Sequence, residues 1–276
     1  MAASKEYNAT LVQRVDITPH LAIFRVKPDD GDFAFTAGQF AVLGMKYNAP
    51  RAADSDEEEP VDEAKAERLI RRAYSISSGS HENEFLEFYI SMVQSGQLTP
   101  RLFALQPGDR LWLGPKASGM FTLDQTPPGK SILMIATGTG LAPYISMVRT
   151  MAMGVGCPAS QLAIVHGASY SWDLGYRNEL QSLAEKCPNF HYAPIISRPE
   201  KDPDWSGRTG RLNTWFEDPE KLREVAQLPL DPSQTHIFLC GNPGMVESAE
   251  AVFTQQYGYV KSSAKESGSL HLEKYW

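Results

Sequence analysis

The spacing of apolar and polar residues changes near residue 120 of the chain. Up to about residue 120, short runs rich in β-branched and aromatic residues are separated by Pro, Gly and Asp, as in residues 9–18, 21–28 and 39–46. Closely spaced short strands favour an antiparallel barrel. Beyond that point, continuous apolar strands alternate with segments of helical spacing, which favours a parallel sheet covered on both faces. The pattern predicts an N-terminal antiparallel β-barrel and a C-terminal α/β domain.

The sequence DQTPPGK, residues 124–130, is the clearest linker signal. We therefore place the two domains at residues 1–126 and 127–276. Three further barrel strands are predicted at residues 71–77, 84–93 and 109–115. One short helix is expected between the last two, with Thr99 as its N-cap and Pro100 in its first turn. In the second domain, strands are predicted at 131–140, 161–169, 190–197 and 235–242, and helices at 142–154, 172–187 and 244–257.

An acidic insertion of about residues 50–68 interrupts the barrel pattern. Its core, RAADSDEEEPVDEAKAER, carries eight acids and three bases and has few large apolar residues. Self-repulsion and low hydrophobicity favour a mobile surface segment. A short exposed helix is expected after Pro60.

Composition limits the function classes. The chain has 276 residues, of which 42% are hydrophobic and 21% charged, and its net charge is −7. A negative balance does not favour nucleic-acid binding. There is no signal-peptide pattern and no uninterrupted run of eighteen apolar residues, so we expect a cytoplasmic protein without a membrane segment. The cysteines, Cys157, Cys187 and Cys240, are far apart, which argues against a disulfide framework, a zinc site or an iron–sulfur cluster of the chain's own. No metal is expected, and any cofactor should be organic.

The sequence RRAYSIS, residues 71–77, does not alternate apolar with polar residues as an ordinary half-buried strand does. In an extended strand, Arg72, Tyr74 and Ile76 share one face. A cation and a flat ring two residues apart suit a planar cofactor that carries phosphate. The alternative is a solvated barrel face, on which arginine and tyrosine are common.

Two later loops follow buried strands. In IATGTGLAP, residues 135–143, a strand runs through Gly138–Thr139–Gly140 into a helix, which suits a phosphate because glycines allow close approach and helix N-termini carry unpaired N–H groups. Pro143 stands where the third glycine of the dinucleotide fingerprint would be. In FLCGNPGMV, residues 238–246, Cys240 and Gly241 lie at a strand's carboxyl end, where open α/β sheets bind ligands. A tight turn and a small core cysteine are the alternatives.

Three arginines follow the predicted third strand of the second domain. They are Arg198, Arg208 and Arg211. Surface arginines are usually solvated. Beside a nucleotide loop, however, they would suit a 2′-phosphate, because guanidinium pairs with two phosphate oxygens at once.

Four motifs occur together in order: RAYSIS, GQLTPRL, GTGLAP and CGNPGMV. In this order and spacing they resemble the ferredoxin–NADP reductase family of flavoproteins, and most closely its bacterial ferredoxin/flavodoxin group. The similarity covers nearly the whole chain. It implies an FAD-binding barrel followed by an NADP-binding α/β domain.

The resemblance also implies roles for individual residues. Arg72 and Ala73 would contact FAD, Tyr74 would stack on the isoalloxazine, and Ser75 would hydrogen-bond near flavin N5. Further contacts with FAD would come from Tyr89, Val93, Gly96, Leu98 and Thr99. NADP contacts would come from Thr139, Gly140, Pro143 and Gly241. Cys240 would lie beside the nicotinamide, and Ser75, Cys240, Glu273 and Tyr275 are the expected catalytic group.

Two departures from the family pattern bear on the cofactors. Bacterial relatives often have an arginine for the 2′-phosphate just after the second strand of the sheet, where this chain has Ser169. Arg198 and Arg211 would replace it, so NADP is favoured over NAD. The chain ends in LHLEKYW, and the resemblance leaves open whether Tyr275 covers the isoalloxazine or Trp276 stacks on adenine.

We therefore hypothesise that the protein is a monomeric, bacterial FAD enzyme. It would transfer a hydride between NADP(H) and the flavin, and single electrons between the flavin and ferredoxin or flavodoxin. Acidic partners of this kind would need a basic patch, with Arg14, Arg71, Lys116 and Arg149 as candidates. Two alternatives stay open. One is an NADH-dependent reductase component of an oxygenase system, and the other is a non-catalytic flavin-binding regulatory module.

Overall fold

A computed structural model describes residues 6–82, 84–263 and 266–275. The chain forms two compact units. One comprises the chain up to Thr122 together with Ile145–Met147, and the other comprises Leu123–Tyr144 and the chain from Val148 onward. Each unit contains one sheet.

The N-terminal unit is a six-stranded antiparallel sheet with the strand order β4-β3-β6-β1-β2-β5. Its elements are β1 (Ala9–Thr18), β2 (Leu21–Pro28), β3 (Phe40–Lys46), α1 (Glu63–Ala66), β4 (Leu69–Ser75), β5 (Leu86–Ser91), α2 (Thr99–Ala104) and β6 (Arg110–Leu113). The two edge strands meet just beyond β4, where Ile76 forms an antiparallel bridge with Phe88 of β5. This bridge closes the sheet into the expected barrel. Inward-facing residues such as Leu11, Leu43 and Phe88 are fully buried and fill its core.

Helix α2 begins one position earlier than the sequence predicted. Its N-cap is Leu98, and Thr99 is its first helical residue. The Thr99 hydroxyl accepts a hydrogen bond from the backbone N–H of Val93 at 2.9 Å instead of capping the helix. The prediction of a Thr99 N-cap was therefore wrong, because this hydroxyl closes the preceding loop. We call residues 93–99 the glycine loop.

The first half of the acidic insertion is hydrogen-bonded to the barrel, whereas the sequence predicted a mobile surface segment. Its second half does contain the expected short exposed helix, α1, which buries no side chain. Its first half pairs with the glycine loop and the start of α2, since the N–H of Asp56 donates to the carbonyl of Gln94 at 3.1 Å and that of Ala52 to Pro100 at 2.9 Å. Backbone hydrogen bonds, which composition does not reveal, hold this half in place.

The C-terminal unit is a six-stranded parallel sheet with the order β10-β9-β8-β7-β11-β12. Its strands are β7 (Ser131–Thr137), β8 (Leu162–Ala168), β9 (Phe190–Ile196), β10 (Arg208–Thr209), β11 (Thr235–Gly241) and β12 (Leu270–Lys274). Its helices are α3 (Ala142–Val155), α4 (Arg177–Lys186), α5 (Asn213–Phe216), α6 (Pro219–Ala226) and α7 (Pro243–Gln255). Every residue of β11 is buried. Strands buried on both faces explain the continuous apolar runs in the sequence.

Two parts of this unit differ from the sequence predictions. The predicted helix at 172–187 is shorter, because Tyr176 adopts a left-handed conformation (φ 59°) immediately before α4. The C-terminal segment adds strand β12 beside β11, with Glu273 opposite Cys240 in the register. The sequence of this short tail does not by itself predict a strand. The segment is a strand because it pairs with β11.

Cys157 and Cys187 form a disulfide, with their Cα atoms 5.5 Å apart. The cysteine spacing argued against a disulfide framework and did not reveal this single bond. The two residues are 30 positions apart in sequence, but one follows α3 and the other follows α4. These helices precede and follow β8, so their ends meet only in the folded sheet.

Within the described ranges, no helix combines the length and the apolar character needed to cross a bilayer. The same ranges contain no group of three His, Cys, Asp or Glu side chains arranged to hold a metal ion.

Candidate functional site

Strand β4 presents the first candidate residues on the barrel. Arg72 and Ala73 are exposed, Tyr74 is half-buried and Ser75 is buried. The guanidinium of Arg72 donates to the backbone carbonyl of Arg71 at 2.8 Å. Since that contact is with a surface carbonyl, the guanidinium is in a position to bind an anion from solvent.

Tyr74 and Arg72 interact electrostatically, as their shared strand face predicts. Burial raises the pKa of the Tyr74 phenol, and the nearby positive charge of Arg72 opposes the rise. The phenol is therefore neutral at physiological pH. A neutral ring beside an exposed cation fits a flat, phosphate-bearing molecule.

The glycine loop lies at the end of the next barrel strand, β5. Its turn is closed by the N–H of Gly96, which donates to the carbonyl of Val93 at 2.8 Å, and by the contact between Val93 and Thr99. A Cβ at Gly96 would lie 2.9 Å from that same carbonyl oxygen. The loop therefore requires glycine here, and its close turn is consistent with a backbone site for a pyrophosphate.

Not all of the predicted flavin contacts are equally accessible. Val93 is 42% exposed and is available to a ligand. Tyr89 and Leu98 are each 3% exposed, and Leu98 belongs to the core of the barrel. These two would act by supporting the site rather than by presenting a free surface.

In the C-terminal unit, the glycine turn after β7 packs against the end of β11. A Cβ at Gly140 would lie 2.4 Å from the carbonyl oxygen of Cys240 and 2.7 Å from the Cα of Gly241. The Thr137 hydroxyl accepts a hydrogen bond from the N–H of Asn242 at 2.8 Å. The two loops that the sequence singled out thus form one site at the carboxyl edge of adjacent strands.

Gly138 provides the open part of this site. It has a left-handed backbone (φ 53°), and among the described residues, its two chain neighbours apart, none has a heavy atom within 4 Å of the position that a Cβ would occupy. Thr139 is half-buried and Pro143 is buried at the start of α3. Space at Gly138 beside the N-terminus of a 14-residue helix fits a phosphate group.

His166 supports this turn, a role that the sequence did not reveal. Its Nε2 lies 3.2 Å from the carbonyl oxygen of Gly138, and its Nδ1 lies 3.2 Å from the hydroxyl of Tyr192. A carbonyl only accepts, so Nε2 carries the proton and Nδ1 accepts from Tyr192. Burial lowers the pKa of His166 to about 4, which keeps the ring neutral. The only sequence signal was a histidine near the end of a buried strand.

The predicted catalytic residues of this unit come together at the end of β11. Cys240 is fully buried, and its pKa is raised by burial and by the negative charge of Glu273, while hydrogen bonding from Tyr275 opposes the rise. The backbone N–H of Tyr275 donates to the carbonyl of Gly241 at 3.1 Å. The thiol is therefore neutral, and it is covered in this structure. Trp276 lies outside the described residues.

Two of the candidate arginines, Arg198 and Arg211, follow adjacent strands, and the third, Arg208, is the first residue of β10. Thr209 of β10 pairs with Ile196 of β9, so Arg211 and Arg198 each lie two residues beyond paired positions. Both are exposed, as is Arg208. Parallel strands bring these side chains to the same edge of the sheet as the glycine turn.

An aromatic pair, which the sequence analysis did not single out, lies beside Arg198. Its guanidinium donates to the Tyr170 hydroxyl at 3.4 Å, and the Tyr170 ring stacks on Trp172 with centroids 4.7 Å apart. Trp172 is 49% exposed. A cation beside an exposed aromatic stack fits a nucleotide that presents both a phosphate and a base.

The proposed basic patch is reduced by internal contacts. Arg14 donates to the carbonyl of Phe103 at 2.6 Å and so binds the end of α2. Arg149 forms a two-point ion pair with Glu179 at 2.7 and 2.8 Å. Lys116 is exposed and remains available to a partner.

The chain is similar to known proteins along most of its length. Residues 134–251 match the family model of the oxidoreductase NAD-binding domain. The chain is 32% identical over 244 residues to the flavodoxin/ferredoxin–NADP reductase of Escherichia coli, covering 88% of each chain. It is 31% identical over 277 residues to ferredoxin–NADP reductase B of Sorangium cellulosum, covering 100% of each chain.

The fold is also shared with a solved structure. A ferredoxin–NADP⁺ reductase from Neisseria gonorrhoeae, with bound FAD and NADP, superimposes with a TM-score of 0.79 at 24% identity, covering 98% of this chain and 99% of that one. The barrel and the parallel sheet described above are therefore folds that also occur in that reductase.

Proposed function

Because the chain belongs to the flavodoxin/ferredoxin–NADP reductase family, we propose that it transfers a hydride between NADP(H) and FAD and single electrons between FAD and ferredoxin or flavodoxin. The observation that carries this proposal is similarity to curated reductases along both units of the chain, at 31% identity over its whole length. When bound, FAD supplies the conversion between two-electron and one-electron transfer.

On the barrel, the chain's task is to hold and orient FAD. Arg72 would bind a phosphate, the neutral ring of Tyr74 would stack on the isoalloxazine, and Ser75 would hydrogen-bond to its polar edge. The backbone of Gly96 and the side chain of Thr99 would fix the pyrophosphate region. These assignments rest on the exposed guanidinium and on the closed turn of the glycine loop.

On the α/β unit, the chain's task is to bind NADP and admit the nicotinamide. The turn at Gly138 would hold the pyrophosphate beside the N-terminus of α3. Cys240 is 0% exposed, so contact between its thiol and a nicotinamide requires Tyr275 to move. Glu273, opposite Cys240, would keep the thiol protonated. No side chain is required to act as a nucleophile.

Preference for NADP over NAD would come from the arginines beyond β9 and β10. Arg198 and Arg211 lie at equivalent levels of paired strands and supply two positive charges for a 2′-phosphate. Tyr170, stacked on Trp172, adds a hydroxyl and a flat surface beside Arg198. This set would replace the arginine that bacterial relatives carry at the position of Ser169.

We further propose a cytoplasmic, monomeric enzyme of bacterial type that acts on neither nucleic acid nor membrane. Ferredoxin and flavodoxin are its electron partners, as the names of its curated relatives indicate. Since the net charge is −7, an acidic partner must dock on a local basic surface that includes Lys116.

The test is anaerobic reduction of the purified holoprotein. We expect NADPH to bleach the flavin absorbance, and added ferredoxin or flavodoxin to be reduced in stopped-flow measurements. A flavin that NADPH does not bleach would identify a binding module without turnover, and a protein that takes up no FAD would overturn the proposal altogether.

Nucleotide preference is tested separately. Arg198→Ala and Arg211→Ala should raise KM for NADPH and leave KM for NADH nearly unchanged, while the control Arg223→Ala on α6 should change neither. A wild-type enzyme that prefers NADH would instead favour the oxygenase-reductase alternative.

A further inference from the structure

The acidic insertion runs along the glycine loop. Besides the two backbone hydrogen bonds already described, the side-chain amide of Gln94 donates to the carbonyl of Asp54 at 2.9 Å. The insertion and the loop that would hold the FAD pyrophosphate thus form one hydrogen-bonded layer on the barrel.

Arg51 joins the two segments through a single guanidinium. Its Nη1 donates to the carbonyl of Gly96 at 3.0 Å, and its Nη2 donates to the carbonyls of Asp56 at 2.9 Å and Gln94 at 3.2 Å. Without Arg51, the carbonyls of Gly96 and Asp56 would need water or another donor, whereas that of Gln94 would keep the N–H of Asp56. The position of the loop therefore depends on the position of Arg51.

Glu58 fixes both arginines of this region. Its Oε2 lies 2.5 Å from Nη2 of Arg101 and 3.5 Å from Nη1 of Arg51. Arg101 is only 2% exposed and also donates to the carbonyl of Gln97 at 2.6 Å, inside the loop. Removing the carboxylate would leave a buried guanidinium without its counter-charge, which is strongly unfavourable.

We propose that Glu58 is a positioning residue that holds the glycine loop in the conformation that retains FAD, acting through Arg51 and Arg101. The inference rests on the proposed function, because it assigns the loop to FAD. A loop fixed before binding loses less conformational entropy when a ligand arrives, so the ligand is held more tightly. Glu58 supplies one negative charge between these two internal cations.

The experiment compares Glu58→Gln with Glu59→Gln. Both changes remove one negative charge from the insertion, but Glu59 is exposed. FAD release is followed by the recovery of flavin fluorescence after dilution of the holoprotein. Glu58→Gln should release FAD about tenfold faster or more, equivalent to about 1.4 kcal/mol, and Glu59→Gln should match the wild type.

Two further readouts separate positioning from general damage. In the apoprotein, amide hydrogen exchange should accelerate in residues 94–99 of Glu58→Gln and remain unchanged in β7 and β8. With FAD in large excess, kcat of Glu58→Gln should return to the wild-type value, since the site is formed once the cofactor occupies it.

The possible failures are distinguishable. Equal FAD release from both variants and the wild type, with unchanged exchange in the loop, would overturn the role of Glu58 and leave the proposed function intact. A wild-type protein that retains no FAD would overturn both. Faster exchange throughout the barrel, without rescue by excess FAD, would show that Glu58 is merely structural and would also overturn the inference.

Discussion

His166 gives the sharpest prediction for stability, because its hydrogen bonds define its protonation state. The ring is fully buried between the Gly138 carbonyl and the Tyr192 hydroxyl, both at 3.2 Å. Burial lowers its pKa from 6.5 to about 4, although the bond to Gly138 opposes this. A second proton would have to enter at Nδ1, which already accepts from Tyr192. The folded state therefore resists protonation.

The sign of the pH dependence follows from linkage. Above pH 6.5 the ring is neutral in both the folded and unfolded states, and it adds no pH dependence. Between pH 6.5 and about 4 the unfolded state binds the proton and the folded state does not, so the free energy of unfolding falls as pH falls. The full difference corresponds to about 3 kcal/mol. Below about pH 4 both states are protonated, and the contribution becomes constant.

The assay is urea unfolding followed by tryptophan emission at pH 7.5 and at pH 4.5. The variant His166→Gln retains a donor for the Gly138 carbonyl but does not titrate, and His81→Gln changes an exposed histidine as the control. Between the two pH values, the wild type and His81→Gln should lose about 2.5 kcal/mol more than His166→Gln. Parallel stability–pH curves for all three proteins would refute the assignment of a neutral, buried His166.

Four other outcomes follow from the structure. Gly140→Ala should destabilise the C-terminal unit by about 1–3 kcal/mol and raise KM for NADPH, because its Cβ meets the Cys240 backbone at 2.4 Å; unchanged KM and melting temperature would contradict the close packing. Tyr74→Ala should weaken FAD binding by about tenfold, through the loss of about 1.4 kcal/mol of stacking, whereas Tyr74→Phe should bind nearly as the wild type in fluorescence titration. Under denaturing, non-reducing conditions, a thiol reagent should titrate one cysteine, since the other two are bonded to each other. In the native protein Tyr275→Ala should make that thiol react faster, and a rate equal to the wild type would show that Tyr275 does not cover it.

Local sequence patterns were sufficient to predict most of the architecture. Strands β1 and β2 occupy the predicted residues 9–18 and 21–28, because runs rich in β-branched residues, with Pro19 and Pro28 at their ends, favour strands. The continuous apolar runs of β7, β8 and β11 indicated a sheet buried on both faces, and the glycines at 138 and 140 indicated the turn. Each of these signals acts over a few neighbouring residues, so the sequence by itself determined the two-domain fold and the position of its loops.

Long-range pairing decided the rest, and no local pattern encodes it. The acidic insertion has the composition of a mobile segment, yet Glu58 finds Arg101, which lies 43 positions away. Cys157 and Cys187 meet only because the fold brings the ends of α3 and α4 together, and Glu273 faces Cys240 only because β12 adds to the sheet edge. Composition measures the average tendency of a segment to be solvated. The tertiary structure decides whether a specific partner of opposite charge or matching geometry is within reach.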